Sequence, residues 1–227
     1  MFEMGVPVSG KNLFPSNISG LPTWFIIRVS DKGYQAPGDE TNFQILMNKE
    51  TWEKDLASLS PGTVVIYNED AKMPVERDDC VCLGMPMTKM ARGISPKLAR
   101  LMANMYYVGG LAHLLGIDES AIGKAVEQQF RGKEKAIELN NKAISEGREY
   151  ASENWDFDCQ FALEAREKPS ETFLIEGNEA TALGSIYGGV NMLSWYPITP
   201  SSSLAESIIS WIPKLKEGED GGVTCAV

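Results

Sequence analysis

Four short apolar runs in the first 90 residues constrain the fold more than any other feature of the chain. They are TWFIIRV (23–29), FQILMN (43–48), TVVIYN (63–68) and CVCLGMPM (80–87). Runs of this length, rich in aromatic and β-branched residues and bounded by turns, are typical of buried strands. Between the second and third runs, Trp52, Leu56 and Leu59 have helical spacing, which predicts a short amphipathic helix ended by Pro61-Gly62. This alternation predicts an α/β fold with a parallel sheet.

The next part of the chain favours helices. Ser95 is predicted to cap a helix that has Pro96 at its first position and ends at Gly116. Asp118 is predicted to cap the following helix. A longer charged helix is predicted from Lys133 to about Trp155, and its mixed charges are typical of a solvated face.

An acidic, weakly periodic stretch at residues 152–171 is the predicted linker between two domains. Residues 1–151 form the predicted first domain, with the parallel sheet, and residues 172–227 the start of a second α/β domain. In the second domain, FLIEGNEATALGSIYGGVNML predicts a short strand and a small-residue helix, and PSSSLAESIISWIP a serine-capped helix. SWYPIT (194–199) and GGVTCAV (221–227) are predicted strands.

Charge and hydropathy exclude several classes of protein. The formal charge is 21 − 31 = −10, which argues against a general nucleic-acid or anionic-membrane binder, since both need a basic surface. No apolar run approaches the roughly 20 residues that cross a bilayer, and the N-terminus lacks the pattern of a secretion signal.

The cysteines and the single histidine do not suggest a metal centre. Cys159 and Cys225 are isolated, and Cys80 and Cys82 share one predicted strand, a spacing that fits neither zinc sites nor iron–sulfur clusters. Buried thiols in a reducing cytoplasm are the favoured explanation. His113 lies among leucines, where a core or interface role is favoured over a catalytic one.

The stretch GVPVSGKNLFPS (5–16) has the Gly5-x-x-x-x-Gly10-Lys11 spacing of a phosphate-binding P-loop. Pro7 removes one of the amide donors that such a loop needs, and Asn12 replaces its metal-binding hydroxyl. Pro15 interrupts any helix that would follow. The stretch is therefore predicted to be a loop without a phosphate site, and an independent nucleotide-binding function is disfavoured.

The stretch WYPITPSSSLAE (195–206) is a stronger candidate for chemistry. A predicted strand leads through Thr199-Pro200 into three serines that open a helix, and the N-terminus of a helix attracts anions. Thr199 would lie at the carboxyl end of a strand, where open α/β sheets bind ligands. An anion site and simple capping by Ser201–Ser203 both remain open on this evidence.

Two long strings resemble one enzyme family. GNEATALGSIYGGVNMLSWYPITPSSSLAE (177–206) resembles the start of the pyrimidine-binding α domain of 2-oxoacid:ferredoxin oxidoreductases, and MGVPVSGKNLFPSNISGLPTWFIIRVS (4–30) resembles part of their γ domain. The γ-then-α order is similar to the fused α subunit of the 2-oxoglutarate type. The resemblance implies CoA-dependent oxidative decarboxylation of a 2-oxoacid, with ferredoxin as electron acceptor.

The resemblance also implies roles for residues of the second string. Thr199 would bind the carboxylate of the substrate, and Tyr196 would contact the substrate as well. Pro197 and Ile198 would shape the pocket of the thiamine cofactor, and Ser201 and Ser202 would support the helix N-terminus behind it.

In the first string, the resemblance makes Lys11, Asn12 and Ser16 candidates for a wall near coenzyme A or the mouth of the active site. It assigns no catalytic residue and no metal ligand to this chain. The activating glutamate and a carboxylate-binding arginine are expected beyond Val227, and a βαβ segment with a Gly-rich loop before Met1.

The resemblance further implies a complex. A β subunit would hold most of the thiamine diphosphate, its Mg²⁺ and an iron–sulfur cluster, in an assembly of the α2β2 type located in the cytoplasm. A non-catalytic assembly module that keeps the fold without the reaction is the alternative.

Overall fold

The computed structural model describes residues 1–14, 20–216 and 224–226. By its internal contacts the chain divides into two compact units, one of residues 1–12 and 25–169 and the other of residues 13–24 and 170–227. The division after Pro169 falls within the segment predicted as a linker. None of the described helices combines the length and apolar character needed to cross a membrane.

The predicted parallel sheet is confirmed. Its three strands, in the order β3-β4-β5, are β3 (Phe43–Leu46), β4 (Val64–Asn68) and β5 (Val81–Met85). Ile66 of the central strand is in register with Ile45 on one side and with Leu83 on the other. The chain is thus a mixed α/β protein, as the apolar runs predict.

The first predicted strand, at residues 23–29, is not part of the three-stranded sheet. β2 (Trp24–Val29) forms a two-stranded sheet with β1 (Val8–Leu13). The prediction of a loop at residues 5–16 is therefore wrong for Val8–Leu13. This segment is a strand because β2 supplies backbone partners, although its own sequence, VSGKNL, is mostly polar.

Seven α-helices are present among the described residues, five of them before residue 155. These five are α1 (Trp52–Ala57), α2 (Met87–Ile94), α3 (Ala99–Leu115), α4 (Glu119–Gln129) and α5 (Glu134–Asn154). The end of α3 at Gly116 and the cap of α4 by Asp118 are confirmed: Gly116 has a φ of 64°, and the Asp118 carboxylate accepts a hydrogen bond from the amide of Ala121. The predicted cap at Ser95 is wrong, because Ser95 terminates α2 and α3 begins only after Leu98.

The sheet lies between two hydrophobic layers. Val64 and Ile66 contact a core that includes Tyr106 of α3 and Ala151 of α5. On the opposite face, Val65 packs in a separate cluster with residues of and around α1. This alternation along β4 explains why Val64, Val65 and Ile66 are all apolar, since a central parallel strand is buried on both faces.

After α5, residues 155–169 still belong to the first unit, and they have no regular secondary structure. The Trp155 indole N–H donates to the carbonyl of Gly84 over 2.7 Å. The amides of Leu163 and Arg166 donate to Leu115 and Met4, each over 2.8 Å. These backbone bonds anchor the acidic segment along much of its length.

The second unit contains α6 (Gly177–Tyr187) and α7 (Ser201–Leu215), which pack against each other through Ala182, Ile208 and Ile212. Both helices are confirmed. The predicted strands at FLIEG and SWYPIT are wrong, because these residues form no ladder with any residue that the structure describes. Of the predicted C-terminal strand, only 224–226 are described, and Ala226 forms a single bridge with Met192.

Candidate functional site

The segment Tyr196–Pro200 is a tight, exposed turn that leads into α7. Tyr196 is 76% exposed and Ile198 56% exposed, and the peptide bond between Thr199 and Pro200 is cis. The amide of Ile198 donates to the carbonyl of Tyr196 over 2.8 Å. Pro197 is exposed beside them. The turn therefore presents a largely apolar surface that carries two exposed hydroxyls, the phenol of Tyr196 and the hydroxyl of Thr199.

The side chain of Ser201 bonds to this turn, whereas the sequence predicts that it caps α7. The Ser201 hydroxyl shares its one proton between the carbonyls of Tyr196 and Ile198, which lie 2.8 and 2.6 Å from its oxygen. The amides of Ser201 and Ser202 also donate to Ile198. Because no serine hydroxyl accepts a bond from the first turn of α7, the prediction of a serine-capped helix is wrong. The hydroxyl of Ser201 bonds to the turn itself, so it is not directed to an external anion.

Thr199 has a side-chain hydroxyl that the turn leaves available. No residue in the described part of the chain forms a hydrogen bond or ion pair with its hydroxyl, and the residue is exposed. A hydroxyl can donate one hydrogen bond and accept two. Set among the exposed rings and aliphatic groups of Tyr196, Pro197 and Ile198, it can bind one polar group of a ligand whose remainder packs on apolar surface.

The predicted residues of the first string lie in the other unit or outside the described residues. Lys11 and Asn12 are exposed on β1, and the side chain of neither forms a hydrogen bond or ion pair within the described residues. Ser16 lies outside the described residues. Gly10 is covered by the ring of Phe25, since a Cβ at this glycine would stand 2.7 Å from Cζ of that ring. Val8–Leu13 is thus a paired strand, whereas a P-loop needs a loop at these positions.

A cleft at the carboxyl edge of the parallel sheet is a further candidate site, and the sequence analysis did not predict it. A cleft of about 600 Å³ opens there, beside the ends of all three strands. Asn68 donates to the hydroxyl of Thr88 over 2.8 Å within it, and Lys49 and Arg92 give it positive charge. The size and mixed polarity suit a small-molecule ligand. A polar residue at the carboxyl end of a buried strand, as Asn68 is, was the signal that could have located it.

One wall of this cleft is rigid. The hydroxyl of Tyr107 donates to the carbonyl of Leu46 over 2.9 Å, beneath the end of β3. Burial of Tyr107 raises the pKa of its phenol to about 12. The group is therefore a fixed hydrogen-bond donor at physiological pH, with a structural role at the edge of the sheet.

The cysteines and His113 do not form a reactive centre. Burial raises the pKa of the thiols of Cys80 and Cys82, which makes them poorer nucleophiles and ligands. All four cysteines are free. No group of three or more His, Cys, Asp or Glu side chains among the described residues could hold a metal ion. His113 is half-buried in α3.

Comparisons with known proteins agree on one family. The family model described as "Pyruvate ferredoxin/flavodoxin oxidoreductase" matches residues 1–150. The α subunit of 2-oxoacid:ferredoxin oxidoreductase 2 from Aeropyrum pernix is 23% identical over 90% of this chain and 38% of its own length. A 2-oxoglutarate synthase subunit, KorA, from Archaeoglobus fulgidus is 48% identical over 44 residues, which are 19% of this chain and 13% of that subunit.

Two solved structures are similar in fold. The 2-oxoglutarate:ferredoxin oxidoreductase from Magnetococcus marinus, solved with 2-oxoglutarate, coenzyme A and succinyl-CoA bound, superposes with a TM-score of 0.84 and 26% identity. The match covers 100% of this chain and 39% of that one. The γ subunit of a keto/oxoacid ferredoxin oxidoreductase from Geobacter sulfurreducens superposes with a TM-score of 0.53 and 20% identity, over 66% of this chain and 82% of its own, and shares the fold. The chain spans about two fifths of the length of the Aeropyrum and Magnetococcus relatives.

Proposed function

Because the chain belongs to the pyruvate ferredoxin/flavodoxin oxidoreductase family, we propose that it contributes γ and α domains to the α subunit of a thiamine-dependent 2-oxoacid:ferredoxin oxidoreductase. The proposed reaction converts a 2-oxoacid and coenzyme A to acyl-CoA and CO₂ and reduces ferredoxin. We assign 2-oxoglutarate as the substrate, because the Magnetococcus relative was solved with it and the Archaeoglobus relative is named for it.

The available hydroxyl of Thr199 is the observation that carries this proposal. We assign it the role of hydrogen-bonding the carboxylate of the 2-oxoacid. A hydrogen bond to a charged group contributes about 1.5–3 kcal/mol when the site is dry. The turn supports this role because its backbone is already held by Ser201, so the hydroxyl does not need to reorganise on binding.

The apolar surface of the turn fits the flat ring of a thiamine cofactor. Tyr196, Pro197 and Ile198 are exposed and offer contact area without a charge of their own. When bound, thiamine diphosphate supplies the stabilisation of a carbanion that decarboxylation requires. We propose that these three residues orient the cofactor and exclude water, that Tyr196 also contacts the substrate, and that Ser201 and Ser202 keep the turn in place. The diphosphate and its Mg²⁺ are assigned to the β subunit.

Coenzyme A is assigned to the first unit. Lys11 and Asn12 are exposed polar residues of β1 without partners among the described residues, and a lysine can neutralise a phosphate of the coenzyme. With Ser16, which lies outside the described residues, they form the proposed wall near coenzyme A. The partners of the whole protein are then a β subunit, which carries the iron–sulfur cluster, and ferredoxin, in a cytoplasmic assembly of the α2β2 type.

The test is reconstitution. The full-length α subunit should be inactive alone, and with its β subunit it should reduce a viologen dye with dependence on both 2-oxoglutarate and coenzyme A. Thr199→Val, which keeps the shape but removes the hydroxyl, should raise the KM for 2-oxoglutarate about 10-fold or more. Thiamine diphosphate binding should change less. An unchanged KM would remove Thr199 from the proposed role.

The alternative is an assembly module without catalysis. On this alternative the chain binds the β subunit, but the complex shows no activity with any common 2-oxoacid. A complex that forms at full occupancy, binds thiamine diphosphate and stays inactive with 2-oxoglutarate, pyruvate and branched-chain 2-oxoacids would favour it over the enzyme.

A further inference from the structure

The amide of Asn178 bonds to the junction between the Tyr196–Pro200 turn and α7. Its Nδ2 donates to the carbonyl of Pro200 over 3.0 Å and to the hydroxyl of Ser203 over 2.6 Å. The Ser203 hydroxyl in turn donates to the same Pro200 carbonyl over 3.1 Å. Two side-chain donors, one from each helix, therefore meet on one carbonyl oxygen.

This carbonyl belongs to the residue that directly follows Thr199. On the preceding side, the carbonyl of Ile198 accepts bonds from the Ser201 hydroxyl and from two backbone amides. The backbone is thus held on both sides of Thr199. The side chains that hold it differ in origin, because Ser201 is local to the turn, whereas Asn178 belongs to α6 and lies 22 residues before Pro200.

The position of Asn178 in α6 allows its bonds to the turn to be removed without destabilising the helix. It lies in the first turn of α6, directly after Gly177. A side chain at this point has no part in the i to i−4 bonds of the helix, and an acidic residue is favourable there because of the helix dipole. Replacement of Asn178 by aspartate should therefore preserve α6 while it removes the amide donor.

We propose that Asn178 is a positioning residue for substrate binding, which acts by fixing the backbone that carries the Thr199 hydroxyl. The inference rests on the function proposed above for Thr199. In the reconstituted complex, loss of the Asn178 donor should let the Pro200 carbonyl and the preceding residue move. The hydroxyl of Thr199 would then be correctly placed in only a fraction of molecules, and the affinity for the 2-oxoacid falls by that fraction.

The experiment compares Asn178→Asp with Thr181→Ala in the full-length α subunit with its β partner. Thr181 is on the same helix, and its hydroxyl donates only to the carbonyl of Gly177. Asn178→Asp should raise the KM for 2-oxoglutarate about 3- to 10-fold, as expected for one lost hydrogen bond. Its KM for coenzyme A should change less than about 2-fold. Thr181→Ala should leave both constants unchanged.

A double-mutant cycle with Thr199→Val tests whether Asn178 acts through Thr199. In the Thr199→Val background, the further change Asn178→Asp should have little additional effect on the KM, since there is no hydroxyl left to position. Additive effects, or an unchanged KM for Asn178→Asp while Thr199→Val raises it, would overturn the inference and leave the proposed function intact. An unchanged KM for Thr199→Val would remove Thr199 from its proposed role and overturn this inference with it, while the activity itself is judged by the reconstitution. If Asn178→Asp does not give folded protein, Asn178→Gln, which displaces the donor by one methylene, replaces it with the same expected rise.

Discussion

Replacing Gly109 by alanine tests the close approach of α3 and α5, which forms much of the first unit. Gly109 of α3 faces the backbone of α5. An added Cβ would overlap the carbonyl oxygen of Ile144 and lie 2.7 Å from the amide nitrogen of Arg148. The reverse contact is similar, because a Cβ at Gly147 would lie 2.7 Å from the carbonyl oxygen of Tyr106. Both neighbours are main-chain atoms, which cannot rotate away.

The size of the effect follows from two opposing contributions. Non-bonded carbon atoms attract at about 3.5–4.0 Å, so the two helices must separate to admit the methyl group. Overpacking of this kind costs about 1–3 kcal/mol, and the rigid surroundings favour about 3 kcal/mol. Alanine regains about 1 kcal/mol over glycine in a helix interior. The net loss is about 2 kcal/mol, which lowers Tm by about 4–8 °C for a domain of this size.

The assay is thermal unfolding followed by circular dichroism, with urea unfolding as a second measurement. The matched control is Gly123→Ala in α4, where an added Cβ meets nothing within 4 Å. The same substitution should there raise Tm by about 2–4 °C through helix propensity alone. If Gly109→Ala melts at or above the wild-type temperature, or if both variants shift alike, then the helices are not as close as the structure has them.

Two further predictions concern hydrogen bonds with a pH dependence. Tyr107→Phe should cost about 1 kcal/mol at pH 7, because the carbonyl of Leu46 loses its donor. Since the folded state raises the pKa of Tyr107 to about 12, wild-type stability should fall as the pH rises from about 10 towards 12, and Tyr107→Phe should lack this part of the decline. A parallel decline in urea titrations of both proteins would contradict the assignment. Asp118→Ala should lower Tm at pH 7, because it removes the cap of α4. Hydrogen bonds from Ser120 and Ala121 lower the pKa of Asp118. The difference in Tm from wild type should therefore persist above about pH 4 and vanish as the pH falls through the lowered pKa. A difference that is the same at pH 7 and pH 2 would refute this.

The first unit was largely predictable because its signals are local. The sequences of β4 and β5 are apolar and bounded by turns, and α4 begins and ends at residues with the expected chemistry. β1 was missed because VSGKNL has no strand composition, and only pairing with β2 makes it a strand. Ser95 was misjudged for a similar reason: it suits a helix start in isolation, but α2 already occupies the residues before it.

The structure of the Tyr196–Pro200 turn was predicted less well from the sequence than that of the first unit. SWYPIT has the composition of a strand, yet a strand needs a neighbour, and its residues have none among those that the structure describes. Serine after a turn suggests a cap, but the Ser201 hydroxyl bonds to the carbonyls of the turn, and α7 has no side-chain cap bond. The contribution of Asn178 had no signal in the sequence, since its partner lies 22 residues away.

What the sequence determined by itself was the α/β class, most of the elements of the first unit, and Thr199 as the residue to examine. These features depend on the burial pattern and chemistry of residues that are close together in the chain, and both can be inferred from the sequence. Only the tertiary structure decided that Val8–Leu13 is a strand, that Ser201 holds the turn instead of capping α7, and that Asn178 supports the residue after Thr199. Each of these depends on which hydrogen-bond partner the folded chain brings within reach: for β1 and Asn178 that partner is distant in sequence, and for Ser201 it is set by the conformation of the turn.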